Sequence, residues 1–181
     1  LNPKLAILRV GNDPSDLSYE KGAVARMIKC GIETEIFELS EDVTEESFLS
    51  HLEYINDKPD INGILVFRPL PKHLNENRIK GMISPNKDVD GFSPINVAKV
   101  MDGDKTGFAP ATPSAVMEIL KHYQIDLSGK HCVVIGRSMV VGKPMSMLLL
   151  GENATVTICH SKTKLLKKIC QMADVLIVAV G

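Results

Sequence analysis

Strand-length apolar runs alternate with helix-periodic stretches along nearly the whole chain, and that alternation restricts it to βαβ units around a mainly parallel sheet. The class is α/β. Lys4 to Val10 is the first expected strand, followed by the turn formers Gly11-Asn12-Asp13-Pro14-Ser15-Asp16 and a helix from about Leu17 to Cys30 that Gly31 ends. A second strand covers about Glu33 to Glu38, and a helix starts near Asp42 and Thr44 with Phe48, Leu49, Leu52 and Ile55 on one face. A third strand, Gly63 to Phe67, stops at Pro69 and Pro71. After a short helix near Asn75 to Met82, residues Ser84 to Pro113 show little periodicity and read as a long loop of the functional kind. Ser114 to Tyr123 reads as a linking helix. The pattern then restarts with strand His131 to Ile135, helix Pro144 to Leu150, strand Ala154 to Cys159, helix Lys164 to Met172 and strand Val175 to Val180. Two α/β domains are therefore expected, at 1–113 and 128–181, joined by a helix and loop at 114–127.

Composition excludes several functions. With 21 Lys and Arg against 22 Asp and Glu, the net charge of -1 gives no broad cationic footprint for nucleic acid. No apolar run approaches the roughly 20 residues of a membrane span, and a cytoplasmic protein is expected. The cysteines Cys30, Cys132, Cys159 and Cys170 lack CxxC spacing and sit in apolar patterns, which reads as buried free thiols in a reducing compartment. His51, His73, His122 and His131 read as surface or element-end residues, and no cluster has metal-ligand spacing. Met139, Met145 and Met147 read as core filler, and Lys164, Lys167 and Lys168 as a solvated helix face. The chain begins on Leu1 and stops at Gly181 just after a strand-like run, so it reads as a fragment or the ordered part of something longer, its second domain incomplete.

The strongest local signal lies where strand His131 to Ile135 runs into Gly136-Arg137-Ser138-Met139-Val140-Val141-Gly142-Lys143-Pro144. Glycines at both ends suit a tight turn and close helix packing, Pro144 suits a first helical turn, and a helix start offers unpaired N–H groups to a phosphate. Ser138 stands where the middle glycine of G-x-G-x-x-G would be, so a plain strand-to-helix turn is an equal reading of this motif alone. The next strand ends Cys159-His160-Ser161-Lys162 without the carboxylate that binds ribose hydroxyls in NAD-preferring sites. Arg137, Ser161 and Lys162 suit the 2′-phosphate of NADP instead, so NADP is the expected cofactor and NAD the alternative.

Taken together, Gly63-Ile64-Leu65-Val66-Phe67-Arg68-Pro69-Leu70-Pro71-Lys72-His73, Ser84 to Asn96 with Val89-Asp90-Gly91 at its centre, Pro110-Ala111-Thr112-Pro113, Gly136 to Pro144 and Cys159 to Thr163 closely resemble the methylenetetrahydrofolate dehydrogenase/cyclohydrolase family. The resemblance covers essentially the whole chain. It implies a folate-binding catalytic domain followed by a Rossmann-like NAD(P)-binding domain, a tetrahydrofolate derivative as substrate, NADP as hydride acceptor and a homodimer. Asp90 matches the family aspartate that contacts the pterin, and Tyr19 the tyrosine that stacks near it; both are the implied catalytic residues. Val66, Phe67 and Arg68 complete the implied substrate site. Gly136, Arg137, Ser138, Gly142, His160 and Ser161 are the implied cofactor site.

The chain departs from the family's bifunctional pattern at two positions. The lysine needed for the hydrolytic step, four residues after the tyrosine, is Ala23, and the glutamine that works with it is Phe67. Lys21 cannot replace the lysine, because two helical residues rotate by about 200°. Hydride transfer is mostly positioning, whereas hydrolysis needs proton transfers worth about 10²- to 10⁴-fold. A dehydrogenase with weak or lost cyclohydrolase activity is therefore expected. The alternatives are a bifunctional enzyme in which Arg68, Arg26 or water-mediated groups compensate, and a non-catalytic folate- or nucleotide-binding paralogue.

Overall fold

The computed structural model describes residues 2–180. Its elements run β1 (Lys4–Val10), α1 (Pro14–Lys29), β2 (Glu33–Leu39), α2 (Glu45–Asp57), β3 (Gly63–Val66), α3 (Glu76–Met82), α4 (Pro94–Asp102), α5 (Ala111–His122), β4 (His131–Ile135), α6 (Gly142–Gly151), β5 (Thr155–Cys159), α7 (Leu166–Gln171) and β6 (Val175–Val178). They form two compact units that part between Pro94 and Ile95. That division falls earlier than the expected 113, and the outer limits of the expected domains, Leu1 and Gly181, lie outside the described residues.

The first unit holds a three-stranded sheet in the order β2-β1-β3, both pairings parallel. The central strand β1 carries Ala6, Ile7 and Leu8 with no exposure, which is why it reads as a continuous apolar run rather than an alternating one. On one face, Ala6, Leu8 and Ile64 pack with the α2 stripe Phe48, Leu49, Leu52 and Ile55 and with Ile79 of α3. Burying each such side chain fully stabilises the fold by roughly 1.5–3 kcal/mol. The α2 stripe exists because Thr44 caps the helix, its hydroxyl accepting from Ser47 N. On the other face, Leu5, Ile7 and Phe67 pack against Ala23, Val24 and Met27 of α1. Helix α1 starts earlier than the expected Leu17: Pro14 occupies its first turn and the Asp13 carboxylate accepts from Ser15 N. The residues read as a turn are the cap.

The second unit repeats the plan, with a parallel sheet in the order β5-β4-β6 and α6 packed on Cys132, Val134, Met145 and Leu149. Its first helix, α4, lies inside the stretch expected to be loop. Pro94 starts it and Gly103, at φ +74°, follows its end, so a proline inside the expected loop is an N-terminal helical residue. The expected linking helix starts at Ala111 rather than Ser114.

Cys132 and Cys159 are buried as expected, but Cys30 is exposed and Cys170 half-buried; all four are free thiols. Cys30 follows the last turn of α1 on the solvent side, where an apolar pattern and burial part company. Met145 is fully buried, while Met139 is 48% exposed in the turn before α6. Lys164, Lys167 and Lys168 are exposed. Among the described residues no helix is long and apolar enough to cross a membrane, and no group of three or more His, Cys, Asp or Glu side chains could hold a metal ion.

Candidate functional sites in the two units

In a parallel sheet, ligands bind beyond the carboxyl ends of the strands, where loops diverge. In the first unit those ends are Val10, Leu39 and Val66. Val66 and Phe67 are both buried, and Phe67 N donates to Leu8 O at 2.9 Å, extending β3's pairing by one residue. Residues 87–88 run alongside β3 as a short extra rung: Ile64 N donates to Lys87 O at 2.6 Å, and Ile64 and Asp88 form a parallel bridge. This rung delivers Asp90 to the same edge as Arg68.

There Arg68 Nη2 donates to Asp90 Oδ2 at 2.6 Å. The guanidinium carbon lies 4.3 Å from the Phe92 ring centroid, a stacking geometry that suits a planar cation. Asp88, 1% exposed, was not among the expected site residues, yet its carboxylate accepts from Phe92 N at 2.9 Å and Ser93 N at 2.7 Å. The signal for it was present in Asp88-Val89-Asp90-Gly91: Asp closes turns on its own following backbone. Asp90 precedes Gly91, whose φ of +59° the turn requires.

Tyr19 lies on α1, 62% exposed, with its ring edge-to-face against Phe67 at 5.2 Å between centroids. Helix α1 is held to the end of β1 by Arg9, a buried cation that lacks any motif to mark it in the sequence. Arg9 Nε donates to Glu20 Oε2 at 2.8 Å, Nη2 lies 3.1 Å from Glu38 Oε2, and Nη1 bonds Gly11 O and Asn12 Oδ1. Ala23 packs into the Leu5, Ile7 and Phe67 cluster. The two positions that depart from the bifunctional pattern thus share one apolar contact region. The structure brings Tyr19 to Phe67 and Arg68 to Asp90 as two adjoining pairs on consecutive residues of one strand end.

In the second unit the strand ends are Ile135, Cys159 and Val178. Gly136 N donates to Cys159 O at 2.8 Å and Ala179 N to Ile135 O at 2.7 Å, so the junction of β4 and the turn is tied to the end of β5 and to the residue after β6. Gly136 has φ +132°, and a Cβ there would lie 2.6 Å from Ala179 O. A Cβ at Gly142 would collide with the Gly136 carbonyl. Both expected glycines are therefore required by close backbone approach, which separates this turn from an ordinary strand-to-helix connection. Ser138 shapes the interior of the turn, its hydroxyl accepting from Val141 N at 3.1 Å and its carbonyl from Lys143 N at 3.0 Å. Arg137 and Ser138 are exposed in the turn before α6.

After β5, His160 N donates to Thr163 Oγ1 at 2.8 Å and Lys162 N to His160 Nδ1 at 3.1 Å. These bonds turn the chain so that Ser161 and Lys162 are exposed. A tight turn closed by glycine at both ends, a helix start and exposed Arg137, Ser161 and Lys162 fit an anionic dinucleotide, and the absence of a carboxylate at 160–162 fits one carrying a further phosphate.

The fold and these sites define a two-unit α/β protein whose second unit is a Rossmann-like dinucleotide-binding domain. Residues 1–90 match the model of the tetrahydrofolate dehydrogenase/cyclohydrolase catalytic domain, and residues 110–181 that of the same family's NAD(P)-binding domain. The chain belongs to the tetrahydrofolate dehydrogenase/cyclohydrolase family. It is 63% identical over 181 residues to the bifunctional protein FolD of Clostridioides difficile (strain 630), covering 100% of this chain and 63% of that protein. The chain thus spans under two thirds of the length of that relative. Among solved structures, the bifunctional FolD methylenetetrahydrofolate dehydrogenase/cyclohydrolase from Campylobacter jejuni superposes with a TM-score of 0.98 at 42% identity, over 100% of this chain and 64% of that one. The Trypanosoma brucei methylenetetrahydrofolate dehydrogenase-cyclohydrolase, complexed with NADP cofactor and inhibitor, gives 0.92 at 31% identity, over 99% and 61%.

Proposed function

We propose that this chain carries the substrate and cofactor sites of an NADP-dependent methylenetetrahydrofolate dehydrogenase of one-carbon metabolism. The reaction moves a hydride from 5,10-methylenetetrahydrofolate to NADP and yields 5,10-methenyltetrahydrofolate. The observation that carries it is the Gly136–Gly142 cradle in a unit matching the family's NAD(P)-binding domain. When bound, NADP supplies the hydride acceptor. Gly136, Ser138 and Gly142 would hold its pyrophosphate, and Arg137, Ser161 and Lys162 its ribose phosphate, with His160 shaping the turn. Asp90 orients the pterin and Tyr19 stacks beside it, with Val66 and Phe67 as the apolar wall. That division of labour suits hydride transfer, which depends on placing two reacting carbons rather than on a protein base. A homodimeric, cytoplasmic enzyme is part of the same proposal and rests on the family resemblance.

For the second step, the relatives' shared name supports a bifunctional enzyme rather than the expected loss of cyclohydrolase activity, and bifunctionality is the reading we adopt. Its hydrolytic proton transfers would then run through water or through groups other than residues 23 and 67. One observation favours a slow hydrolytic step: Ala23 and Phe67 meet in an apolar cluster, and neither side chain can give or take a proton.

The test supplies the complete protein with methylenetetrahydrofolate and NADP. NADPH should form, and its absence would overturn the dehydrogenase reading. Methenyltetrahydrofolate supplied alone should then be converted to the formyl form well above the uncatalysed rate. Conversion at the uncatalysed rate would overturn bifunctionality and restore the expectation drawn from Ala23 and Phe67.

A further inference from the structure

The Arg68–Asp90 pair goes beyond placing a carboxylate at a strand end. We propose that Arg68 is a positioning residue that holds the Asp90 carboxylate in the geometry that receives a reduced pterin, and that Phe92 and Asp88 hold Arg68 in turn. The inference rests on the reading of Asp90 as the pterin contact.

An arginine side chain has several rotatable bonds, so on its own it would make a poor fixed point. Here it is restrained at both ends. Its backbone follows Phe67, whose N–H is bonded to Leu8 O, and its guanidinium lies against the Phe92 ring at 4.3 Å. Phe92 cannot drift, because its ring is 8% exposed in the first core and its N–H is bonded to the buried Asp88 carboxylate. Contact therefore runs from Asp88 to the backbone and ring of Phe92, from that ring to Arg68, and from Arg68 to Asp90 Oδ2 at 2.6 Å.

The pair is well shielded, with side chains 17% and 21% exposed, so water screens it less than a surface ion pair. A guanidinium supplies no base. Its contribution is to fix the direction of the carboxylate before the substrate arrives, so that pterin N–H donors meet an oriented acceptor. Such preorganisation lowers the cost of binding and acts chiefly on KM rather than on hydride transfer itself.

The experiment compares Arg68→Met, Arg68→Lys, Phe92→Leu and the Arg68→Met/Phe92→Leu pair in the complete protein. It follows turnover against each substrate and calorimetric binding of tetrahydrofolate. Losing a charge-assisted hydrogen bond predicts a KM for methylenetetrahydrofolate raised by about tenfold to a hundredfold in Arg68→Met, with kcat lowered by less than about threefold. The KM for NADP should move by less than about twofold. Arg68→Lys, which keeps the charge but not the planar stack, should fall between Met and wild type. Phe92→Leu should raise the folate KM when Arg68 is present and add nothing once Arg68 is Met.

An unchanged folate KM and tetrahydrofolate affinity in Arg68→Met, with wild-type turnover intact, would overturn the positioning role alone. Equal losses for folate and NADP, tracking a lowered melting temperature, would also overturn it by showing a merely structural residue. If Arg68→Met fails to fold, Arg68→Lys decides: wild-type folate KM in that variant refutes the need for the stacked fork. A wild-type protein that neither turns over methylenetetrahydrofolate nor binds tetrahydrofolate would overturn the functional reading and this inference together.

Discussion

Replacing Gly142 by alanine tests the cofactor cradle most directly. The nearest atoms to the added Cβ are all backbone: the carbonyl of Gly136 and, at 2.7 Å, the nitrogen of Arg137. No flexible side chain can swing aside. Carbon contacts settle at roughly 3.5–4.0 Å, so the start of α6 must retreat from the end of β4 by about 1 Å. Overpacking of this kind costs about 1–3 kcal/mol of stability. The effect on binding is separate, because an N–H···O bond of about 2.9 Å stretched by that distance is no longer a hydrogen bond. Losing one such bond to a charged phosphate costs about 1.5–3 kcal/mol, or roughly tenfold to a hundredfold in NADP affinity.

Gly151, at the other end of the same helix, is the control. Among the described residues, nothing beyond the helix's own neighbouring backbone lies within 4 Å of a Cβ there, so Gly151→Ala should leave NADP binding alone and add about 0.5–1 kcal/mol by restricting the unfolded chain. Fluorescence titration with NADP and urea unfolding of both variants give the comparison. Equal NADP affinity in Gly142→Ala and Gly151→Ala would refute the close-approach argument, whatever happens to stability.

Three further outcomes follow from other parts of the structure. Arg9→Met should lower stability by about 3 kcal/mol in urea unfolding, near the low end for a broken buried pair because Glu38 remains half-exposed; a change under about 1 kcal/mol would show that Arg9 does not tie α1 to β1. Alkylation at mildly alkaline pH, read by mass spectrometry, should modify exposed Cys30 first and Cys132 last, since burial pushes the Cys132 thiol up and nearby Asp174 adds to it; early labelling of Cys132 in the native protein would contradict that ordering. Glu45 is held below its ordinary value of 4.5 by a hydrogen bond from Asn75 N and then by Arg78. With a folded pKa below the unfolded one, its stabilisation is present above the unfolded value and lost as pH falls through the folded one. Glu45→Gln should therefore flatten the acid limb of a stability profile below pH 4.5 and leave its alkaline side unchanged; an unaltered acid limb would remove Glu45 from the account.

The strand positions were legible because a buried central strand must be apolar on both faces, as Ala6 to Leu8 and Cys132 to Val134 are. Helix α2 was legible from its cap and its stripe together. Helix α4 was not, because Asp, Asn, Gly and Pro around 84–96 carry strong turn preferences, and only the structure places Pro94 at a helical first turn. The exposed Cys30 misled for the opposite reason: an apolar neighbourhood in sequence does not say which side of a helix end meets solvent.

The sequence by itself determined the α/β class, the mainly parallel sheet implied by its βαβ alternation, the glycine-bounded turn and the family, since each depends on residue type at short spacing. Tertiary structure decided what those residues do to one another. Arg68 and Asp90 are 22 positions apart, as are Phe67 and Val89 in the shared cluster, and no local rule pairs them. Parallel pairing brings residues 87–88 beside β3 and α1 across β1, so these partners meet at a single sheet edge. A one-dimensional pattern can name the chemistry available, but the direction of a carboxylate is set by the cation packed against it.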